Sequence, residues 1–217
     1  MSTSIYNAIC RCNYFNITEL CTIMHENGSD KSNFHTYTRL YNELFKDLRH
    51  KPVNVFEVGI GSKNRDIPSN MCGFSFTRPG GSLRGWQEWF PNAMIYGADI
   101  DRDILFTDDR IKTFYTDQLN PDAIKTMWGE VGEDVMFDVI IDDGLHTFEA
   151  NDCFLKNSVH KLKSGGYYVI EDVIYVEEYP KFVAALDEYS KMFEEVRMIT
   201  VPGAYHLDNT LVIMKKT

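Results

Sequence analysis

Two short stretches place reactive side chains at the ends of apolar runs. FDVIIDDGLH, residues 137–146, ends in Asp142, Asp143 and His146, and GYYVIEDV, residues 166–173, ends in Glu171 and Asp172. Asp143, Glu171 and Asp172 are three hard oxygen donors, enough to hold a Mg²⁺-sized divalent cation while leaving positions for water or substrate oxygens. His146 beside them has an imidazole whose ordinary pKa lies near neutrality, which suits a general base. Asp142 is better placed to orient the loop than to ligate. Taken singly, each carboxylate could instead cap a following helix, and a lone histidine near a turn is commonly structural. As a set at one sheet edge they favour a site.

The elements that must position this set begin at Val53. VNVFEVGIG, AMIYGAD, IKTFYTD, FDVIIDD and GYYVIEDV are near-continuous apolar runs rich in β-branched residues, as expected of strands buried on both faces of a parallel sheet. Helical segments at 83–89, 121–129 and 148–162 alternate with them, which predicts a doubly wound α/β fold with right-handed connections. A further helix, YPKFVAALDEYSKMF, leads to a closing hairpin of EEVRMITV and NTLVIMKK, for seven strands in all. Ligands of such sheets bind at the carboxyl edge. Here that edge carries Glu57 with the Gly59-x-Gly61 turn, then Asp99 and Asp101, then Asp117, before the two acidic pairs above.

Position 64 is Asn64, so the third glycine of a dinucleotide fingerprint is missing, and no Tyr-x-x-x-Lys pair occurs. Residues 1–50 read as a short helical N-terminal segment ahead of one domain at 51–217. A helix with a cap at Asn16 or Thr18 stops at Gly28, and a second buries the stripe Tyr37, Leu40, Tyr41, Leu44 and Leu48.

A formal net charge of -10 argues against nucleic acid, whose binding draws on clustered Lys and Arg. Five scattered cysteines form no C-x-x-C pair, and no signal peptide or membrane span is apparent, so a cytoplasmic protein is expected. The aromatic N-terminal helices suggest a homo-oligomer.

Together, FEVGIG, YGADID and TFYTDQ resemble the adenosine-binding edge of class I S-adenosylmethionine-dependent methyltransferases over roughly residues 53–217. That resemblance implies a Rossmann-like sheet and S-adenosyl-L-methionine as cofactor. Gly59 and Gly61 would face its methionine part, Asp99 its ribose, and Asp117 with Gln118 its adenine edge. Glu57, Ser82, Asp142 and Tyr37 complete the expected cofactor set. GGSLRGWQEWFPNAMIYGADID, FDVIIDDGLH and GGYYVIEDV are similar to a narrower family, the metal-dependent sugar O-methyltransferases of macrolides such as the mycinamicin and macrocin enzymes. By that resemblance Asp143, Glu171 and Asp172 bind Mg²⁺ or another divalent cation and His146 is the general base. GSDKSNFHTYTRLYNELF also resembles that family, making Lys31, His35 and Tyr37 cofactor or substrate contacts.

The chain lacks the long N-terminal domain of some family members. Between Gly61 and Gly80 it carries a long loop whose Arg65, Asn70, Phe74, Phe76 and Arg78 suit an acceptor or a partner subunit; a disordered insertion is the alternative. The expected activity is methylation of a sugar hydroxyl. A phenol or catechol acceptor, or a non-catalytic binding protein of the same fold, are the competing readings. A two-histidine iron site would need a partner for His146, and His206 is the only candidate identified in the sequence.

Overall fold

A computed structural model of the chain describes residues 3–174, 176–202 and 208–217. Eight strands, β1 (Asn54–Val58), β2 (Met94–Asp99), β3 (Thr107–Asp108), β4 (Ile111–Tyr115), β5 (Phe137–Asp142), β6 (Leu162–Ile170), β7 (Phe193–Thr200) and β8 (Thr210–Lys216), form one sheet. Their order is β3-β4-β2-β1-β5-β6-β8-β7. β4, β2, β1, β5 and β6 are parallel, and β8 runs antiparallel to both β6 and β7. All seven expected strands are present. The eighth, β3, is an exposed two-residue edge antiparallel to β4, too short and polar to leave a hydrophobic signature.

The continuous apolar runs have a simple cause. Along β5, Phe137 and Ile140 enter one core while Val139 and Ile141 enter the other, so neither face tolerates polar alternation. Helices α1 (Ile5–Arg11), α2 (Glu19–Glu26), α3 (Tyr37–Phe45) and α4 (Gly81–Trp89) cover one face with Ile5, Leu20, Tyr41 and Trp86. Helices α5 (Pro121–Val131), α6 (Phe148–Ser158) and α7 (Tyr179–Tyr189) cover the other with Trp128, Phe154 and Phe182. Residues before position 50 share their core with Val55, Ile95 and Tyr167 of the sheet.

Local signals act as their chemistry suggests. Thr18 caps α2 by accepting the Cys21 N–H, and Gly28 follows that helix at φ +77°. Asn120 accepts from the Asp122 and Ala123 N–H groups, with Pro121 starting α5. The helix expected at 148–162 ends at Ser158; a 3-10 turn over Val159–Lys161 follows, and Leu162 joins β6.

Helix α1 has no side-chain cap of its own. The Ile5 and Tyr6 N–H groups instead donate to the carboxylate of Glu195 on β7, both at 2.8 Å. Among the described residues no helix is long and apolar enough to cross a membrane.

Candidate active site

β1 pairs with β2 on one side and β5 on the other, which makes its carboxyl end the point where strand order reverses. A cavity of about 280 Å³ opens there. Gly59, Gly61, Asp99, Asp117 and Gln118 line it from β1, β2 and β4, and Asp143, His146 and Asp172 from β5 and β6. Segment 28–31, Ile67, Pro68, Ser69 and Met71 of the long loop, and Ser82 at the start of α4 add to the wall.

Gly59 has φ +85°, and a Cβ there would sit 1.9 Å from the Asp143 carbonyl oxygen. The β1 turn and the β5 loop therefore touch backbone to backbone. Asp99 accepts the Ile60 N–H at 2.8 Å and the Asp101 N–H at 2.9 Å, and burial pushes its carboxyl pKa upward. Asp101 is turned toward the Ser62 hydroxyl and does not line the cavity.

Gln118 donates to Asp142 at 2.6 Å and accepts the Leu145 N–H at 2.9 Å, which clamps the loop that carries Asp143 and His146. Asp142 lies wholly buried behind the wall, as does Glu57, whose carboxylate takes the Ser82 hydroxyl and, at 2.7 Å, the Trp86 indole N–H. Neither of these two borders the cavity, and nor does Tyr37.

Burial raises the Asp142 pKa from 3.8 to about 6. Well below pH 3.8 the carboxyl is protonated whether the chain is folded or not. As pH rises the unfolded chain ionises first, so stability falls until about pH 6, above which a cost of roughly 3 kcal/mol is fully present. Asp142→Asn is therefore expected to melt at or above the native protein at pH 7.5 and to lose that advantage at pH 4. Thermal unfolding at the two pH values checks this.

At the cavity floor the charges are dense. Lys31 donates to Asp143 and, at 2.6 Å, to Glu171, whose other oxygen accepts the Tyr41 hydroxyl at 2.7 Å. Tyr37 donates to Asp172 at 2.5 Å, and the His35 and His146 Nε2 atoms lie 3.5 and 4.0 Å from that carboxylate. Burial drives the Asp143 carboxyl far above its ordinary pKa despite Lys31, and carries Glu171 to about 7. Burial also acts upward on Asp172, but His35, His146 and the Tyr37 hydroxyl outweigh it and hold it below the usual value. Burial lowers the His146 pKa against the pull of Asp172. His146 and Asp172 both adopt left-handed backbone, φ +59° and +56°, a strain concentrated where the reactive groups are.

Asp143, His146 and Asp172 present ligand atoms within 4.8 Å of one another, as do His35, Asp172 and Asp208. Glu171 is outside both groups among the described residues, its oxygens facing Lys31 and Tyr41. The carboxylates of these groups fit a hard divalent cation, whereas the imidazoles suit softer transition metals. His146 Nδ1 and Asp208 Oδ1, buried without hydrogen-bond partners, are further unused donor atoms at this floor.

His35 and His146 both approach Asp172 Oδ2, so the second histidine near this carboxylate is His35; His206, the candidate the sequence offers, lies outside the described residues. Tyr41 was expected only as core. Its hydroxyl was the available signal, because a phenol on a buried stripe needs an acceptor. Of the long loop's expected contact residues, Arg78 borders the cavity, Phe74 packs edge-on against Phe34, and Phe76 is exposed.

No protein-family model matches the chain. It is 30% identical over 181 residues to the 8-demethyl-8-alpha-L-rhamnosyl tetracenomycin-C 2'-O-methyltransferase of Streptomyces olivaceus, an alignment covering 83% of this chain and 44% of that protein. It is 34% identical over 146 residues to demethylmacrocin O-methyltransferase of Streptomyces fradiae, covering 64% of this chain and 32% of that one. The MycE methyltransferase of the mycinamycin pathway, solved with Mg and SAH, superposes with a TM-score of 0.71 at 23% identity, over 93% of this chain and 55% of that one. The chain thus spans less than half the length of these curated relatives. It is similar in sequence to sugar O-methyltransferases of polyketide and macrolide glycosides, and it is built on the class I methyltransferase fold that MycE shares.

Proposed function

We propose that the chain is an S-adenosylmethionine- and divalent-cation-dependent O-methyltransferase acting on a sugar hydroxyl of a glycoside. The observation that carries this reading is the single cavity that runs from the Gly59–Gly61 turn and Asp99 to the Asp143, His146 and Asp172 cluster. Its relatives' names support it, as do the Mg and SAH held by MycE.

Asp99 would take the ribose hydroxyls, Asp117 and Gln118 the adenine edge, and the glycine turn the methionine part. Asp143 and Asp172, with Glu171 once its carboxylate turns, would hold the cation. The cofactor would supply an electrophilic methyl on a sulfonium, and the cation a positive charge beside the acceptor oxygen. His146 takes the hydroxyl proton at Nε2, and Asp172 beside it stabilises the resulting imidazolium. Segment 28–31 and the long loop exclude water and hold the reactants in line.

Calorimetric titration of S-adenosylmethionine into the native protein and Asp143→Ala, with Mg²⁺ and after chelation, tests the reading together with turnover on glycosides and catechols. Cofactor binding should survive in all cases, and glycoside turnover should fall about 100-fold or more in the variant. No cofactor binding under any condition overturns the proposal, and turnover on catechols alone overturns the sugar acceptor.

A further inference from the structure

The proposed chemistry gives no task to the most buried cation of the site. Lys31 is 1% exposed, yet its ammonium sits among carboxylates, donating to Asp143 Oδ2 and Glu171 Oε2 and lying 3.8 Å from Glu57 Oε1. Tyr41, Tyr37 and His35 face the same cluster from α3 and the residues before it, and His146 faces it from the loop after β5.

Lys31 comes from outside the sheet. It belongs to the strap of residues 28–36 between α2 and α3, whose first residues form part of the cavity wall. The strap is tied at several points: Ser29 N–H to the Met24 carbonyl at 2.9 Å, Arg78 N–H to the Gly28 carbonyl at 3.1 Å, and Thr38 N–H to the Lys31 carbonyl at 3.3 Å. None of these three ties involves the sheet; at its far end the strap meets Asp172, Asn209 and the Pro202 carbonyl through His35 and Thr36, and between the two ends the Lys31 ammonium holds it to Asp143 and Glu171 after β5 and β6.

Two of the three carboxylates assigned to the cation are thus already engaged. A dication takes carboxylate oxygens at about 2.0–2.6 Å. An ammonium bound to the same oxygens would then lie within a few ångströms of it, in a site with little water to screen the repulsion. The two cations exclude one another. We propose that Lys31 is the built-in counter-cation of this carboxylate cluster and competes with a divalent cation for Asp143 and Glu171, so that cation binding frees its ammonium and loosens the 28–36 strap. This rests on the cation-dependent reading above and deepens it: the metal site is coupled to the wall of the cofactor cavity.

The test is calorimetric titration of MgCl₂, without cofactor, into the native protein, Lys31→Met and Lys31→Arg. Methionine keeps the length and apolar stem of lysine without its charge. Lys31→Met should bind Mg²⁺ at least tenfold more tightly than the native protein, and Lys31→Arg no more tightly. Equal or weaker binding by Lys31→Met overturns the proposal, because Lys31 would then be indifferent to the cation or would hold its ligands in place. Hydrogen exchange of the native protein gives a second readout that needs no variant to fold: Mg²⁺ should speed exchange in residues 28–36, and unchanged or slower exchange overturns the coupling. If neither Mg²⁺ nor Mn²⁺ binds any of the three proteins, the cation reading falls with the proposal, whereas equal binding by all three removes the proposal alone.

Discussion

His146→Asn is expected to lower the methyl-transfer kcat by about 10²–10⁴-fold, the usual contribution of a positioned general base, while leaving the affinity for S-adenosylmethionine unchanged. Asparagine is the informative replacement because position 146 has φ +59°, a region that asparagine adopts more readily than most residues, so the loop keeps its shape while the imidazole is lost. The native pH profile should rise through a pKa below 6.5, since burial lowers the imidazole and only its neutral form can accept the acceptor's proton. That limb should vanish in the variant. Steady-state rates between pH 5 and 8, with cofactor affinity measured in parallel, check both points. An unchanged kcat would assign the proton to another group.

Gly59→Ala should be the most damaging single methyl in the protein. The added Cβ would lie 1.9 Å from the Asp143 carbonyl oxygen, 2.5 Å from its carbon and 2.7 Å from Gly144 Cα, all backbone atoms with no side-chain freedom to yield. Left-handed strain adds about 1–2 kcal/mol and overpacking about 1–3 kcal/mol or more. The expected loss is about 2–5 kcal/mol, or roughly 5–15 °C in Tm for a chain of this size. Because the displaced backbone carries Asp143 and leads to His146, the surviving folded protein should also lose cofactor and cation binding together. Thermal unfolding and calorimetry on the same preparation separate the two effects.

How much of this was legible beforehand depended on distance along the chain. The strands could be read because burial on both faces removes polar residues from their middles and leaves the acids at their ends, as in FDVIIDD. That Asp143, His146, Glu171 and Asp172 share one edge could be read because they follow adjacent parallel strands, whereas the turning of Glu171 toward Lys31 and Tyr41 could not. The position of Lys31 could not: its contacts to Asp143 and Glu171 span 112 and 140 residues, and no periodicity encodes them. The hydroxyl of Tyr41, on an otherwise apolar stripe, reaches 130 residues to Glu171 in the same way. The long loop was legible as a loop from its composition, but its seat against the cavity depends on single bonds such as Met71 N–H to the Ser62 carbonyl, which any sequence can make.

The cap that Glu195 provides for α1 has a further consequence, for the order in which the chain assembles as it is synthesised. The positive end of a helix dipole is usually neutralised by a residue beside it, available as soon as the helix is made. Here the carboxylate arrives 190 residues later, on an edge strand paired with β8. Helix α1 is therefore made well before the group that caps it. Leu211 and Ile213 of β8 share the core that Ile5 and Ala8 enter, so both the cap and part of the packing of this helix wait for the β7–β8 hairpin.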